Sequence, residues 1–280
     1  MLNDITFGQY YPGNGVIHKM DPRAKILFTI AFIVLSFIAG NAVSLLLVTF
    51  ALGAVILLSR IPLKMYLKTL KPIIPIIILT SIINALYVSS GKVLVEWQFI
   101  TITSGGLLTA VYMSTRIALL IMCSSMLTYT TTPTQLTDAI ERLLSPLKYI
   151  KLDVHSLAMM MTIALRFIPT LIEETEKIMS AQKARGADME NGGLLKRIKA
   201  LIPVLIPLLI SSFRRASELA DAMECRCYHG GKGRTRIKKL HMGLIDLVSL
   251  IALAAVFVGV IFANACLSGV LYSLFIGGVL

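Results

Sequence analysis

Residues 26–58 read ILFTIAFIVLSFIAGNAVSLLLVTFALGAVILL, a run without one charged side chain. Gly40-Asn41 divides it into 26–39 and 42–58. A helix needs roughly 20 apolar residues to cross a bilayer. Both halves are short of that, so each must borrow flanking residues at its ends. The stretch reads as two short spanning helices joined by a turn, and it sets the fold class: an all-α, polytopic integral membrane protein.

The rest of the chain extends this reading. Further apolar runs cover 72–88, 107–127 and 243–263, giving about five spans. The tail from 264 reads as a surface or partial segment, with a sixth span left open. Of the 280 residues 56% are hydrophobic, above the usual globular share. The formal net charge of +12 is therefore concentrated outside the apolar runs. Lys19, Arg23 and Lys25 precede the first span, and Arg60, Lys64, Lys68 and Lys71 lie between the second and third. The Gly40-Asn41 turn carries no charge, and the loop from Lys92 to Glu96 is balanced. Basic residues mark the cytoplasmic side. The N-terminus and the 59–71 loop are thus expected in the cytoplasm and Lys92 outside. An even number of crossings returns the chain to the cytoplasm before the highly charged segment 130–241. The expected organisation is a four-helix transmembrane region (1–129), a cytoplasmic helical domain (130–241), and a last spanning helix with an apolar tail (242–280). No secretory signal is apparent, because the first apolar run begins only after Lys25. The four cysteines (Cys123, Cys225, Cys227, Cys266) make no disulfide framework and fit a reducing compartment.

Segment 130–241 is patterned for helices. Thr132-Pro133-Thr134-Gln135 is a start signal: Thr132 as N-cap, Pro133 at the first helical position, Gln135 reaching back. Pro146 is expected to end this helix, and Asp153 to cap the next. That second helix places Met160, Ile163, Phe167, Leu171 and Ile178 on one face. Asn191-Gly192-Gly193 is a turn, after which a third helix carries Leu195, Ile198, Ile202, Leu205 and Leu209 on one side. Pro203 and Pro207 are expected to kink it. Each long helix extends about 45–50 Å if unbroken. Helices apolar on one side and charged on the other lie along a membrane surface or bind a partner. The apolar run 200–213 is short for a span, which favours that reading.

Both long helices end on an arginine between small residues. The first ends on Ala184-Arg185-Gly186, within SAQKARGAD (180–188). The second ends on Cys225-Arg226-Cys227, within AMECRCYHGG from Ala222. A single such end has an ordinary explanation. A cation in the last turn complements the helix dipole, and Gly after the cap accepts a left-handed conformation. Two alike suggest a cation raised on a helix tip for insertion into a partner's groove, where arginine offers a rigid fork of donors.

At these residues the chain resembles the transmembrane coupling (T) component of energy-coupling factor (ECF) transporters. AQKARGAD matches the first of that family's two Ala-Arg-Gly-like motifs closely, and AMECRCYHGGKGRT matches the second in part. YYPGNGVIHKMDPRAKI is similar to its N-terminal signature. TTTPTQLTDAIERLLSPLK, IALRFIPTLIEETEKIMSAQKARGAD and PLLISSFRRASELADAMECR are similar to its cytoplasmic helices. The resemblance implies a non-catalytic subunit in the cell membrane, with a cytoplasmic domain of long coupling helices. It implies two ABC-type ATPase partners, a homo- or heterodimer, that bind ATP and Mg, this chain binding no cofactor or metal. It implies one substrate-binding membrane S component and a lipid bilayer as the other partners, and no nucleic acid. Ala184, Arg185, Gly186, Cys225, Arg226 and Cys227 would be the ATPase-docking residues. The cargo would be a micronutrient: a vitamin through interchangeable S components, or cobalt or nickel through a dedicated one. The N-terminal wording matches the vitamin type.

Other signals lead less far. Gly230-Gly231-Lys232-Gly233-Arg234-Thr235 fails the phosphate-loop pattern, because Arg226 stands where its first Gly belongs. These residues, with Arg236, Lys238 and Lys239, read as a basic anchor to anionic lipid. The spacing Cys225-x-Cys227-x-His229 is wrong for structural zinc. Arg116 lies inside an apolar run without an acidic residue in any span to make a relay. It is expected to pair with backbone carbonyls or with a polar side chain such as Asn84. Ala110, Ser114 and Ala118 form a small-residue face for packing within this subunit's own bundle. A membrane enzyme would have to draw on Asp138, Glu141, Glu173, Glu174 and Glu176, which show no paired metal-binding spacing. A secondary transporter would need ionisable groups in the spans, where only Arg116 and Asp246, near an end, occur.

Overall fold

Asp21-Pro22 opens the first helix for a local reason. The Asp21 carboxylate accepts from the Arg23 N–H at 2.9 Å, and Pro22 occupies the first helical position, where no N–H is needed. The computed structural model describes residues 10–88, 93–97, 100–150, 153–187, 193–230 and 242–275. The chain divides into two compact units, one covering 8–132 and 240–280 and the other built on 133–239.

The first unit contains α1 (Pro22–Ile38), α2 (Ala42–Ser59), α3 (Leu63–Leu70) and α4 (Ile74–Tyr87). It continues through strands β1 (Val93–Trp97) and β2 (Ile100–Thr103) into α5 (Ser104–Thr130). Its last helix comes from the end of the chain and is named α9 (Leu244–Phe275) here. The core forms where α1, α2, α5 and α9 meet, on Phe32, Leu35, Val48, Leu52, Met126 and Val260. The opposite helix faces carry Phe50, Leu46, Leu247 and Phe262, large and exposed, as a lipid-facing surface requires. Helix α4 packs along α5. Ser114 and Ser81 hydroxyls meet at 2.5 Å, and Ala110 is buried, so the small-residue face packs within this bundle.

Two features depart from the sequence expectation. The connection read as a loop around Lys92 to Glu96 contains an antiparallel ribbon, with Val93 opposite Thr103 and Trp97 opposite Ile100. The segments VLVEW and ITIT are rich in β-branched residues, which suit a pleated strand, so local preference overrides an otherwise helical chain. Lys92 itself lies outside the described residues. Residues 264–275 of the apolar tail do not form a separate segment: they continue α9, which runs unbroken to Phe275.

The second unit contains α6 (Pro133–Leu143), α7 (Val154–Ala184) and α8 (Leu194–Cys225). Helix α6 starts at the expected proline and is followed by a 3-10 turn, Ser145–Ile150, that contains Pro146. Asp153 caps α7, accepting from the Ser156 N–H at 3.2 Å and its hydroxyl at 2.5 Å. The hydroxyl bond, then the backbone bond, holds this carboxyl below its ordinary range. Helices α7 and α8 are 31 and 32 residues long and pass without a break through Pro169 and through Pro203 and Pro207.

Among the described residues, six helical stretches are long and apolar enough to cross a membrane. Four are expected spans: Ala42–Ser59, Leu63–Tyr87, Ser104–Thr130 and Leu244–Cys266. The third begins earlier than its apolar run, because α3 leads into α4 through a 3-10 turn. Helix α1, at 17 residues, is shorter than these. The other two stretches, Val154–Ala184 and Ile198–Cys225, belong to α7 and α8, for which the sequence raises the expectation of helices lying along the membrane. Length and composition do not separate a long amphipathic helix from a spanning one; the side on which each helix end emerges does.

Candidate functional site

Helix α7 ends in a six-residue hydrogen-bonded wrap. Gly186 N–H donates to Lys183 O at 2.9 Å, and Ala187 N–H donates to Gln182 O at 3.0 Å. This is the Schellman arrangement, in which the residue after the cap turns left-handed. Arg185 is the cap, at φ −84 and ψ 6, and Gly186 supplies φ +85. Helix α8 ends the same way. Cys227 N–H donates to Glu224 O at 2.8 Å, and Tyr228 N–H donates to Met223 O at 3.0 Å. Arg226 is the cap, at φ −91 and ψ 15, and Cys227 takes the left-handed position at φ +55. The two ends are thus one geometry built twice, with arginine at the same station. The left-handed residue differs, glycine in one and cysteine in the other.

All six expected site residues fall in these ends. Ala184 and Cys225 are the last helical residues, Arg185 and Arg226 the caps, and Gly186 and Cys227 the left-handed residues, and all six are exposed. Neither guanidinium has a hydrogen-bond partner among the described residues. The four cysteines are free thiols. No group of three His, Cys, Asp or Glu able to hold a metal occurs among the described residues. The phosphate-loop-like residues 231–235 lie outside them.

The helices carrying the tips are joined by a contact that sequence reading did not foresee. Glu174 of α7 accepts from the Arg215 guanidinium of α8 at 2.9 Å and from the Ser211 hydroxyl. Arg185 lies eleven residues beyond Glu174, and Arg226 eleven beyond Arg215. Each tip therefore stands about 16 Å along its helix from the shared contact. Two of the acidic residues named for a membrane enzyme are engaged in pairs with basic side chains. Glu174 is held in this bridge, and Glu141 pairs with His155 at 3.1 Å.

In the membrane unit, the residues of the N-terminal signature are positional. Tyr11 N–H donates to Tyr129 O at 2.9 Å. Lys25, 1% exposed, donates from Nζ to Thr130 O at 2.8 Å and to His18 O at 3.4 Å. Asp21 N–H donates to Asp246 Oδ1 at 2.8 Å, and Asp246 Oδ2 accepts from Gly243 N–H at 2.7 Å. The signature thereby ties α1, α5 and α9 together at one end. Arg116 pairs with a backbone carbonyl, Ala39 O at 2.7 Å, as one of the expected alternatives had it. No bond between Arg116 and Asn84 occurs among the described residues, and the Asn84 amide N–H donates to Thr80 O on its own helix at 2.8 Å.

Comparison with known proteins gives consistent results. A family model described as CbiQ, cobalt transport protein, matches residues 13–237. The "Energy-coupling factor transporter transmembrane protein EcfT" of Ruminiclostridium cellulolyticum is 52% identical over 248 residues, covering 89% of this chain and 92% of that protein. The protein of the same name from Acidaminococcus fermentans is 51% identical over 260 residues (92% and 96%). That from Bacillus subtilis is 44% identical over 258 residues (91% and 97%).

Proposed function

The chain belongs to the family of energy-coupling factor transporter transmembrane proteins, and from that membership we propose that it is the non-catalytic coupling subunit of an ECF-type importer. Two cytoplasmic ABC-type ATPases bind ATP and Mg. A separate S component in the membrane binds the cargo, a vitamin. This chain transmits force between them and performs no chemistry of its own. The names carried by the relatives favour this general coupling role over a subunit dedicated to cobalt or nickel.

In this reading α7 and α8 lie in the cytoplasm along the membrane, and each tip enters a groove on one ATPase. The observation that carries it is the repeated helix end with arginine at the cap. An arginine fork fixed on a rigid terminus places five donors at a defined position, and small or absent neighbouring side chains allow close approach. Two equivalent tips match two ATPases. If α7 and α8 crossed the membrane instead, α7 would carry Arg185 outside and α8 would return Arg226 to the cytoplasm. The tips would then face opposite compartments and could not serve one ATPase pair.

Two measurements test this. Arg185→Lys, Arg185→Glu, Arg226→Glu and the double Glu variant are compared for ATPase co-purification and cargo uptake at matched membrane levels. Lys is expected to weaken docking, Glu to weaken it further, and the double variant to lose both readouts while still inserting. Unchanged co-purification and uptake in the double variant would refute docking through the tips. Separately, Ala187→Cys in a cysteine-free chain is expected to react with impermeant maleimide only from the cytoplasmic side. Reaction from outside would refute the placement of α7.

A further inference from the structure

We propose that the membrane unit holds one anionic phospholipid at its basic end, with an acyl chain in a cleft between α2 and α9 and the phosphate at Lys19 and Arg60. The cleft is a cavity of about 340 Å³. Its floor is formed by Ile17, Met20 and Met126, all buried. Phe28 of α1 and Val55 of α2, both part-buried, form its walls. Val16, Leu58, Leu244 and Val248 form its rim and are exposed. The cleft is therefore closed toward the core and open between the two helices.

Helices α2 and α9 are antiparallel neighbours, and they do not pack evenly. They close at Leu47 and Gly259, where an added Cβ would stand 3.4 Å from Leu47 Cδ1. Leu58 is eleven residues further along α2, and Val248 eleven residues back along α9. At that level the two side chains line a cavity instead of meeting. The cleft occupies α9 from Leu244 to Ala252, about 12 Å. The 3-10 turn Ile17–Lys19 closes its other end. An added Cβ at Gly15 would run into the Ser59 carbonyl, so the chain entering that turn lies directly against the end of α2. A cleft of this length cannot seat the face of a spanning helix, which extends about 30 Å. Both walls belong to spanning stretches, and the cleft lies at the ends where Lys19, Arg23, Arg60 and Lys64 gather. It therefore faces the cytoplasmic leaflet.

The lining selects an apolar occupant. Its two polar residues, Ser249 and Lys25, are both engaged within the fold. The Ser249 hydroxyl donates to Asp246 O at 2.8 Å, and Lys25 Nζ donates to Thr130 O at 2.8 Å. No polar side chain of the lining is left to hold water, and in a bilayer the surrounding solvent that can fill such a space is a hydrocarbon chain. The rim supplies the counterpart of the headgroup. Lys19 ends the 3-10 turn and Arg60 caps α2. Both are exposed, and neither side chain has a hydrogen bond or ion pair among the described residues. Arg60 also takes the left-handed conformation, φ +55, a station that glycine usually fills, so the turn itself gives no reason for an arginine. Two free cations beside a dry apolar slot match a phosphodiester above an acyl chain.

The test places the full-length chain in phosphatidylcholine nanodiscs with a trace of phosphatidylglycerol or phosphatidylcholine carrying a diazirine on its acyl chain. After illumination, peptide mass spectrometry finds the labelled residues. Phosphatidylglycerol is expected to label Val55, Leu58 and Val248 at least about fivefold more than phosphatidylcholine does. At Phe50, exposed on another face of α2, the two lipids are expected to label equally. Lys19→Gln combined with Arg60→Gln should bring the two lipids level at the cleft as well. Val55→Phe, on the wall, and Ala252→Phe, at an exposed lining position that tolerates bulk, should each fill the cleft and lower labelling of Leu58 severalfold. An unchanged unfolding temperature in Ala252→Phe would show that the loss is not one of folding. Labelling of the cleft no stronger than at Phe50, or labelling indifferent to headgroup and to the rim cations, would overturn the proposal. So would loss of labelling once the chain is assembled with its partner subunits, which would make the cleft a protein contact.

Discussion

Exchanging the left-handed residues of the two tips should move their stabilities in opposite directions. An L-residue in the left-handed region costs about 1–2 kcal/mol relative to its ordinary conformations. At Gly186, φ is +85 and an added Cβ would meet nothing within 4 Å, so Gly186→Ala incurs the conformational cost without a clash. Part of that cost, about 0.4–1 kcal/mol, is returned because alanine has fewer unfolded conformations to lose. The net effect is a helix end weakened by about 1 kcal/mol. At Cys227, φ is +55, near the centre of the left-handed well, so the residue sits there with less strain. Cys227→Gly relieves that strain but adds unfolded-state freedom, leaving a gain of about 0.5 kcal/mol.

Hydrogen exchange followed by mass spectrometry reads these changes locally. The reporting amides are Gly186 and Ala187 in one tip and Cys227 and Tyr228 in the other, whose bonds close the two wraps. A change of 1 kcal/mol is about a fivefold change in the opening equilibrium. Gly186→Ala is therefore expected to speed exchange about fivefold at the α7 end alone, and Cys227→Gly to slow it about twofold at the α8 end. Faster exchange in Cys227→Gly, or no change in Gly186→Ala, would refute the claim that both ends are held by the same left-handed turn.

Three further perturbations follow from the packing. A Cβ at Gly15 would run into the Ser59 carbonyl, so Gly15→Ala should destabilise the membrane unit by about 1–3 kcal/mol, seen as a lower unfolding temperature in detergent. Lys25→Met leaves the Thr130 carbonyl without its buried partner and should cost about 1–3 kcal/mol; an unchanged unfolding temperature would show that water supplies the bond. The Glu174–Arg215 bridge is part-exposed, so a double-mutant cycle with alanine at both positions should give a coupling below about 1 kcal/mol. A coupling of several kcal/mol would mean that the contact is closed off from solvent.

The two long helices, their caps and the spanning runs were legible because each has a local cause: a period of apolar positions, a proline at the start, an arginine and a left-handed residue at the end. What was not legible depends on partners distant in sequence. Lys25 reads as one more basic residue on the inner side, and only the fold places it against Thr130. Asp246 reads as an isolated charge at a helix start, and only the fold brings Asp21 to it. Asn264 is a single amide in an apolar run, with nothing nearby to mark it as a cap for α1, where it donates to Ile38 O. The ribbon at Val93–Trp97 was hidden for the opposite reason. Its strand preference is local, but it sits between two helices in a chain whose composition argues for helix throughout.

The difference between the tips bears on what has been kept. In the wrap that ends α7, the residues before the cap are Gln182, Lys183 and Ala184; in α8 they are Met223, Glu224 and Cys225. The left-handed residue changes as well. The backbone geometry survives all of these changes, and so does one side chain, the arginine at the cap. The wrap itself does not require it, since its bonds are made by main-chain groups. The helix dipole favours a cation at this end by about 0.3–1 kcal/mol, but lysine would serve equally. Both arginines are exposed, and neither guanidinium has a hydrogen bond or ion pair among the described residues that would hold its own helix. What the fold does provide is a rigid terminus that presents the same planar fork twice, eleven residues beyond a shared contact. If the arginines served only as caps, Arg185→Lys and Arg226→Lys would leave coupling intact. If they fill grooves shaped for a planar fork, both substitutions weaken ATPase capture while hydrogen exchange at the helix ends stays as it was.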